Sequence, residues 1–330
     1  IIKMAKPIII KNIISKYKKK IVVDGDKSLS IRFALLASQA TGKSRAYNLL
    51  KSEDVLSTLN CLKKLGVKIR WDKKSKFCEI NGNGLNSYIY KDNLTLNGNN
   101  SGTCVRLLTS LLVNSPKKIK IVGDKSLSKR DMKRIIVPLK QFGATFTPIN
   151  KNNLPVYIRG TKYLRPINYE ELIGSSQCKS SVMLAALSAP GITRLKCKPS
   201  RNHTELFFKH LKIPIKIKKT KKFDFIEVEG KKNFKSFNYK IPTDISSSAF
   251  FIVLTLLSTN SSLIIKQVGI NKSRIGVITI LNKMGANIKL KNRKIYKGER
   301  IADIYVKSKK ELKSINCPSR LNSRDRKSVV

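Results

Sequence analysis

The feature that most constrains this chain is a helix ending that recurs along it. Leu62-Lys63-Lys64-Leu65-Gly66-Val67-Lys68-Ile69 returns as Leu139-Lys140-Gln141-Phe142-Gly143-Ala144-Thr145-Phe146 and again as Leu281-Asn282-Lys283-Met284-Gly285-Ala286-Asn287-Ile288. A weaker copy, without the glycine, spans Phe208–Ile217. Glycine just past the last apolar turn takes the left-handed conformation at little cost, so each copy predicts a helix end followed by a strand. A second helix type alternates with the first, at Ser28–Ala40, Ser101–Val113, Ser175–Ala189 and Ser246–Ser258. These segments are apolar nearly all round, which predicts that each is buried. Short β-branched runs at Ile119–Val122, Val156–Ile158 and Leu263–Ile265 read as strands. The pattern is one α/β unit of two helices and several strands, used four times at a spacing of roughly 70–80 residues.

Composition narrows the function classes. A chain of 330 residues with 41 % hydrophobic content can bury one large core or two medium ones. No apolar run approaches the roughly 20 residues of a membrane span, and Pro7–Ile14 is too short and broken for a signal peptide. The expectation is a cytoplasmic protein with no membrane partner. Cysteines at 61, 78, 104, 178, 197 and 317 form no Cys-x-x-Cys pair and do not cluster with His203 or His210, so neither a metal site nor a disulfide framework is expected. The 68 basic against 20 acidic residues give a net charge of +48, a balance often tied to nucleic acid. Here the excess is mostly lysine in short runs such as Lys18–Lys20 and Lys117–Lys118, without an arginine-rich arm or an aromatic stacking platform. No nucleic-acid partner is expected, but the charge would draw small anions into any cleft.

The helix starts carry the chemistry. Gly25-Asp26-Lys27-Ser28-Leu29-Ser30-Ile31-Arg32 places a lysine just before a Ser-capped helix and an arginine about one turn inside it. Asn100-Ser101-Gly102-Thr103-Cys104-Val105-Arg106 is a second start, with glycine permitting close approach to the backbone. Gly123–Arg130 partly repeats the first, Ser175-Ser176-Gln177-Cys178-Lys179 adds hydroxyls, an amide and a cation, and Ser200–Glu205 adds a serine and a histidine. Free backbone N–H groups and the positive end of a helix dipole suit phosphates and carboxylates, although ordinary N-caps would read the same way singly. Thr41-Gly42-Lys43-Ser44 ends like a phosphate-binding P-loop, but Ala37 stands where the earlier glycine is required.

Together and in this order, these segments closely resemble the 5-enolpyruvylshikimate-3-phosphate synthase family (3-phosphoshikimate 1-carboxyvinyltransferases) from about Ile21 to Ser308. Asn48–Asp54, Thr243–Phe251, Arg274-Ile275-Gly276 and Ala302-Asp303-Ile304 belong to the likeness. The related UDP-N-acetylglucosamine enolpyruvyl transferases lack the Lys-Ser-x-Ser-x-Arg opening. Gly25-Asp26-Lys27, Ser175–Lys179 and Arg201-x-His203-x-Glu205 look like the glyphosate-tolerant subgroup, with Ser176 in place of its usual alanine.

The resemblance implies a two-lobed enolpyruvyl transferase fold, with one complete lobe at 25–243. Residues 1–24 plus 244–330 would form an incomplete partner exposing apolar helix faces, with an aberrant tail from about 317. It implies a monomer that moves the enolpyruvyl group of phosphoenolpyruvate to the 5-hydroxyl of shikimate 3-phosphate and releases phosphate, using no metal or organic cofactor. Carried over residue by residue, Lys27 would touch both substrates, and Ser28, Arg32, Ser175, Ser176 and Ser200 would hold shikimate 3-phosphate. Asn100, Gly102 and Arg130 would lie against phosphoenolpyruvate, and Gln177 would reach both ligands. Asp131 stands where the family usually has proline and is expected to weaken the grip of Arg130. The family's catalytic Asp and later Arg, His and Lys segments have no counterpart here, and residues 318–330, including Asp325, match nothing expected, so the chain is read as C-terminally truncated. Two other readings stay open: an inactive fragment that only binds shikimate 3-phosphate, or a non-enzymatic polyanion-binding protein whose affinity falls steeply with salt.

Overall fold

The computed structural model describes residues 16–72, 74–149, 152–309 and 311–316. Pro7–Ile14, Cys317 and the tail containing Asp325 lie outside the described residues. The chain opens with β1 (Lys18–Ile21), α1 (Lys27–Gln39), β2 (Thr41–Tyr47), α2 (Glu53–Lys64), β3 (Lys68–Asp72) and β4 (Phe77–Asn83). Next come β5 (Leu94–Asn97), α3 (Gly102–Leu111), β6 (Ile119–Val122), the single turn α4 (Lys125–Ser128), α5 (Lys133–Gln141), β7 (Thr145–Thr147) and β8 (Val156–Arg159). β9 (Asn168–Glu171), α6 (Ser176–Ala186), β10 (Ile192–Cys197), α7 (His203–His210), β11 (Ile215–Lys219), β12 (Asp224–Glu229) and β13 (Asn238–Lys240) follow. The last are α8 (Ile245–Leu257), β14 (Ser262–Gly269), α9 (Gly276–Lys283), β15 (Asn287–Tyr296) and β16 (Glu299–Lys307).

Among the described residues the repeat becomes four sheets of four strands, ordered β5-β6-β8-β7, β9-β10-β12-β11, β13-β2-β4-β3 and β1-β14-β16-β15. In the first, α3 joins the parallel pair β5–β6 and α5 leads into the antiparallel strands β7 and β8. The second repeats this with α6 and α7. The other two keep the plan but exchange their first strands. β13, just before α8, pairs in parallel with β2, whereas β1, just before α1, pairs in parallel with β14. The exchange passes through two antiparallel connecting segments, in which Asp26 donates its amide to Pro242 O (2.8 Å) and Asp244 to Asp24 O (3.0 Å). A Cβ on Gly25 would lie 2.1 Å from Asn48 O, so only glycine permits this approach.

The chain divides into two compact units. One is Asp24–Asp244 with Ile295–Arg300; the other holds the described residues up to Val23, Ile245–Lys294 and those from Ile301. In the first unit α3 packs on both α1 and α6, and α1 buries Phe33, Leu35 and Leu36. In the second, α8 departs from the expectation of a helix buried on every side. It buries Ile252 and Leu256 but leaves Phe250 72 % and Leu257 71 % exposed, with Phe251, Val253 and Leu254 also at the surface. Among the described residues α8 is the one helix of its kind in that unit, so the sheet it packs on covers a single side while no sister helix covers the other.

The helix endings behave as the repeat dictates. Gly66, Gly143 and Gly285 take φ of 85°, 112° and 82° after α2, α5 and α9. In the degenerate copy, Lys212 adopts φ 56° at the equivalent place after α7, so the backbone turn persists without the glycine. The P-loop look-alike is the start of strand β2, not a loop before a helix. The five described cysteines are free and buried. Burial pushes the thiols of Cys78, Cys178 and Cys197 up to about 12, which keeps them protonated and unreactive at neutral pH.

A candidate anion site at converging helix starts

α1, α3 and α6 each begin with a side-chain cap: Asp26 accepts from Leu29 N (2.9 Å), Ser101 from Cys104 N (3.2 Å) and Ser175 from Cys178 N (3.3 Å). Each cap satisfies one first-turn donor; at α1 Lys27 N also reaches Asp244 Oδ2 (3.4 Å), and at α3 Gly102 N reaches Asn100 O (3.1 Å). Each helix also carries one buried cation near this end. Arg32, Arg106 and Lys179 are 4 %, 8 % and 0 % exposed. A buried charge is costly unless paired, so the partners of these three show how the site is built.

Arg32 donates Nε to Thr204 Oγ1 on α7 (2.8 Å), Nη2 to Ser180 Oγ on α6 (2.9 Å) and Nη1 to Ser28 O (3.1 Å). The guanidinium therefore ties α1, α6 and α7 together and is held rigidly beside Ser28. Lys179 meets Glu205 of α7 at 2.6 Å, an ion pair whose geometry is not that of a directed hydrogen bond. His203 Nδ1 lies 2.6 Å from Glu299 Oε1, a second buried pair that anchors the start of α7. These contacts give the Arg201-x-His203-x-Glu205 segment a structural role. Ser200, in the turn before α7, has a buried Oγ with no hydrogen-bond partner.

Asn100 and Arg130 belong to one hydrogen-bonded set and Gln177 to a second built on Arg106, with Gly102 close to both guanidiniums. Asn100 donates Nδ2 to Asp124 (2.7 Å) and accepts from Arg130 Nη2 (3.0 Å). Arg106 donates Nη1 to Gln177 Oε1 (2.6 Å) and Nη2 to Asp131 O (3.0 Å). Gln177 donates Nε2 to Thr103 Oγ1 (3.0 Å). A Cβ at Gly102 would sit 3.2 Å from Arg106 Nη1 and 3.5 Å from Arg130 Nη1, so the glycine leaves room for two guanidiniums. The carboxylate of Asp131 turns to the Lys133 amide (2.6 Å), the first of α5. α6 links the two halves of the site, with Gln177 toward α3 and Ser180 toward Arg32; Ser175 and Ser176 lie at its start. Lys27 turns its ammonium to Asp54 of α2, at 3.1 Å.

Arg106, Ser180, Thr204, Asp54 and Asp124 hold the site residues in place, yet the helix-start motifs do not single them out. The spacing of Arg106 after Gly102 matches that of Arg32 after Ser28, four residues in each case, and that recurrence was the available signal. Hydroxyl partners such as Ser180 and Thr204 carry no signal in sequence, because any buried helix can hold them.

Residues 11–319 match the model of EPSP synthase (3-phosphoshikimate 1-carboxyvinyltransferase). The chain belongs to the EPSP synthase family. The 3-phosphoshikimate 1-carboxyvinyltransferase of Petrotoga mobilis is 39 % identical over 292 residues, covering 88 % of this chain and 66 % of that protein. That of Ruthia magnifica is 40 % identical over 302 residues, covering 91 % and 67 %. The EPSP synthase structure from Acinetobacter baumannii superposes with a TM-score of 0.84 at 35 % identity, over 94 % of this chain and 68 % of that one. The chain thus spans about two thirds of the length of the relatives it matches. The α/β fold read from the repeat is the family fold.

Among the described residues no group of three His, Cys, Asp or Glu side chains could hold a metal ion, and no helix is long and apolar enough to cross a membrane.

Proposed function

We propose that this chain binds shikimate 3-phosphate at the starts of α1 and α6 and takes part in moving the enolpyruvyl group of phosphoenolpyruvate to its 5-hydroxyl, with release of phosphate. The observation that carries this reading is the pre-positioned cation set. Arg32 and Arg106 are buried and fixed by protein partners before any ligand arrives. Fixed charges that need not reorganise stabilise a phosphate more than mobile surface lysines do. Ser28, Ser175, Ser176 and the unpartnered Ser200 hydroxyl would hold the 3-phosphate with Arg32. Gln177 lies between this group and the cluster of Asn100, Gly102 and Arg130, where phosphoenolpyruvate would rest. Lys27 would leave Asp54 to reach both ligands. In the transfer step the hydroxyl adds to C2 of phosphoenolpyruvate, and the tetrahedral intermediate expels phosphate. The residues here supply positioning and charge stabilisation for that step.

On this reading the 24–244 unit is the lobe that carries shikimate 3-phosphate, and the chain works as a cytoplasmic monomer. Titration calorimetry with shikimate 3-phosphate at physiological salt should give saturable 1:1 binding, lost in Arg32→Met. Coupled phosphate release with both substrates then separates a transferase from a binding-only chain. Absence of saturable binding, with salt-sensitive binding of single-stranded oligonucleotides instead, would favour a polyanion-binding protein.

A further inference from the structure

We infer that Arg106 is a positioning residue that fixes the amide of Gln177 so that it presents a donor to the anionic ligand. Gln177 has one carbonyl and one NH2 end, and in isolation either could face the site. Arginine has only donors, so the end 2.6 Å from Arg106 Nη1 must be Oε1. The Nε2 end then faces Thr103 Oγ1 at 3.0 Å, which uses one of its two hydrogens. The second hydrogen is left for a ligand. Remove Arg106 and the amide is free to flip, which can turn a carbonyl lone pair toward the anion.

The surroundings favour this role over direct ligand binding by Arg106. Two of its five N–H groups, one on each Nη, are taken by Gln177 Oε1 and Asp131 O, its Nε is buried without a partner, and the side chain as a whole is buried beneath the site. Through Asp131 O the same guanidinium also holds the turn that carries Arg130. Burial first, then Arg134 and Arg130, depress its pKa to about 10, while Asp131 opposes them, so Arg106 is still charged at neutral pH. A positive residue buried beside two others is tolerated where an anion is to be received.

The inference rests on the function proposed above, and two measurements keep the two separable. In the ligand-free protein, the side-chain NH2 resonance of Gln177, assigned by its loss in Gln177→Ala, should move toward the free-amide position in Arg106→Met. An unchanged resonance overturns the inference whatever the chain binds. Shikimate 3-phosphate affinity by calorimetry should fall about tenfold in Arg106→Met, the scale of a charge-assisted hydrogen bond, but change less than about twofold when Arg106→Met is added to Gln177→Ala. Gln177→Glu keeps the bond to Arg106 and the melting temperature but replaces the outward donor by an acceptor, and should lose affinity to a similar extent. Additive effects, or normal affinity in Gln177→Glu, would overturn the positioning role. A wild-type chain that binds no shikimate 3-phosphate refutes the proposed function and leaves the resonance to decide this one.

Discussion

At the scale of single residues, backbone conformation separates the four helix endings. Lys212 holds φ 56°, a region that costs a residue with a Cβ roughly 1–2 kcal/mol. Part of that cost returns through the freedom glycine gains in the unfolded chain, so Lys212→Gly should stabilise by about 0.5–1 kcal/mol in urea unfolding. Gly66→Ala is the opposite case. At φ 85° its Cβ would lie 2.6 Å from Ile89 O, and a loss of more than about 1 kcal/mol is expected. Equal midpoints for both variants and the parent would refute the argument. His210 gives a pH signature. Burial, then the Lys297 ammonium, lowers its pKa below 6.5, so the unfolded chain binds the proton more readily. Its contribution is therefore present above pH 6.5 and is lost as pH falls through the lower native value. His210→Gln should flatten the decline of stability below pH 6.5, and an unchanged slope would exclude His210 as its source.

Between elements, the costly contact is the Lys179–Glu205 pair joining α6 to α7. Both side chains are almost wholly buried, so desolvation offsets much of their attraction. Lys179→Met leaves a carboxylate stranded in the interior and should destabilise by about 3–5 kcal/mol, whereas adding Glu205→Leu should restore most of the loss. A double variant as unstable as the single one would show that the pair stabilises the fold outright. The same two helices carry the hydroxyls that seat Arg32, so Lys179→Met should also weaken shikimate 3-phosphate binding. This coupling was invisible in sequence. The 25 residues between Lys179 and Glu205 contain nothing to say that the two side chains meet.

For the whole molecule, the charge of +48 sets the response to salt. The described ion pairs engage only a small part of 68 basic side chains, so the folded chain repels itself at low ionic strength. Raising salt from about 0.01 M to about 0.15 M shortens the screening length from roughly 30 Å to roughly 8 Å, and should raise the melting temperature. A fall over that range would mean that attractive pairs outweigh the repulsion. The sequence by itself determined the number and kind of repeated units, the helix endings and the helix starts, because those depend on local backbone preference and on apolar periodicity. That the segments of Arg32, Gly102 and Gln177 share one site was implied by the family likeness and not by their spacing. The strand partners themselves came only from the tertiary structure, since a three- or four-residue strand carries no record of its partner. β1 pairs with β14 and β13 with β2, an exchange the repeat does not show and only the family likeness implied. Periodicity made α8 buried on every side, and only the family likeness implied an open apolar face. The tertiary structure alone showed which face of α8 is uncovered, because burial depends on what stands opposite a helix and not on the helix. And it alone set the direction of the Gln177 amide, which follows from a guanidinium brought up by another helix, 71 residues away in the chain.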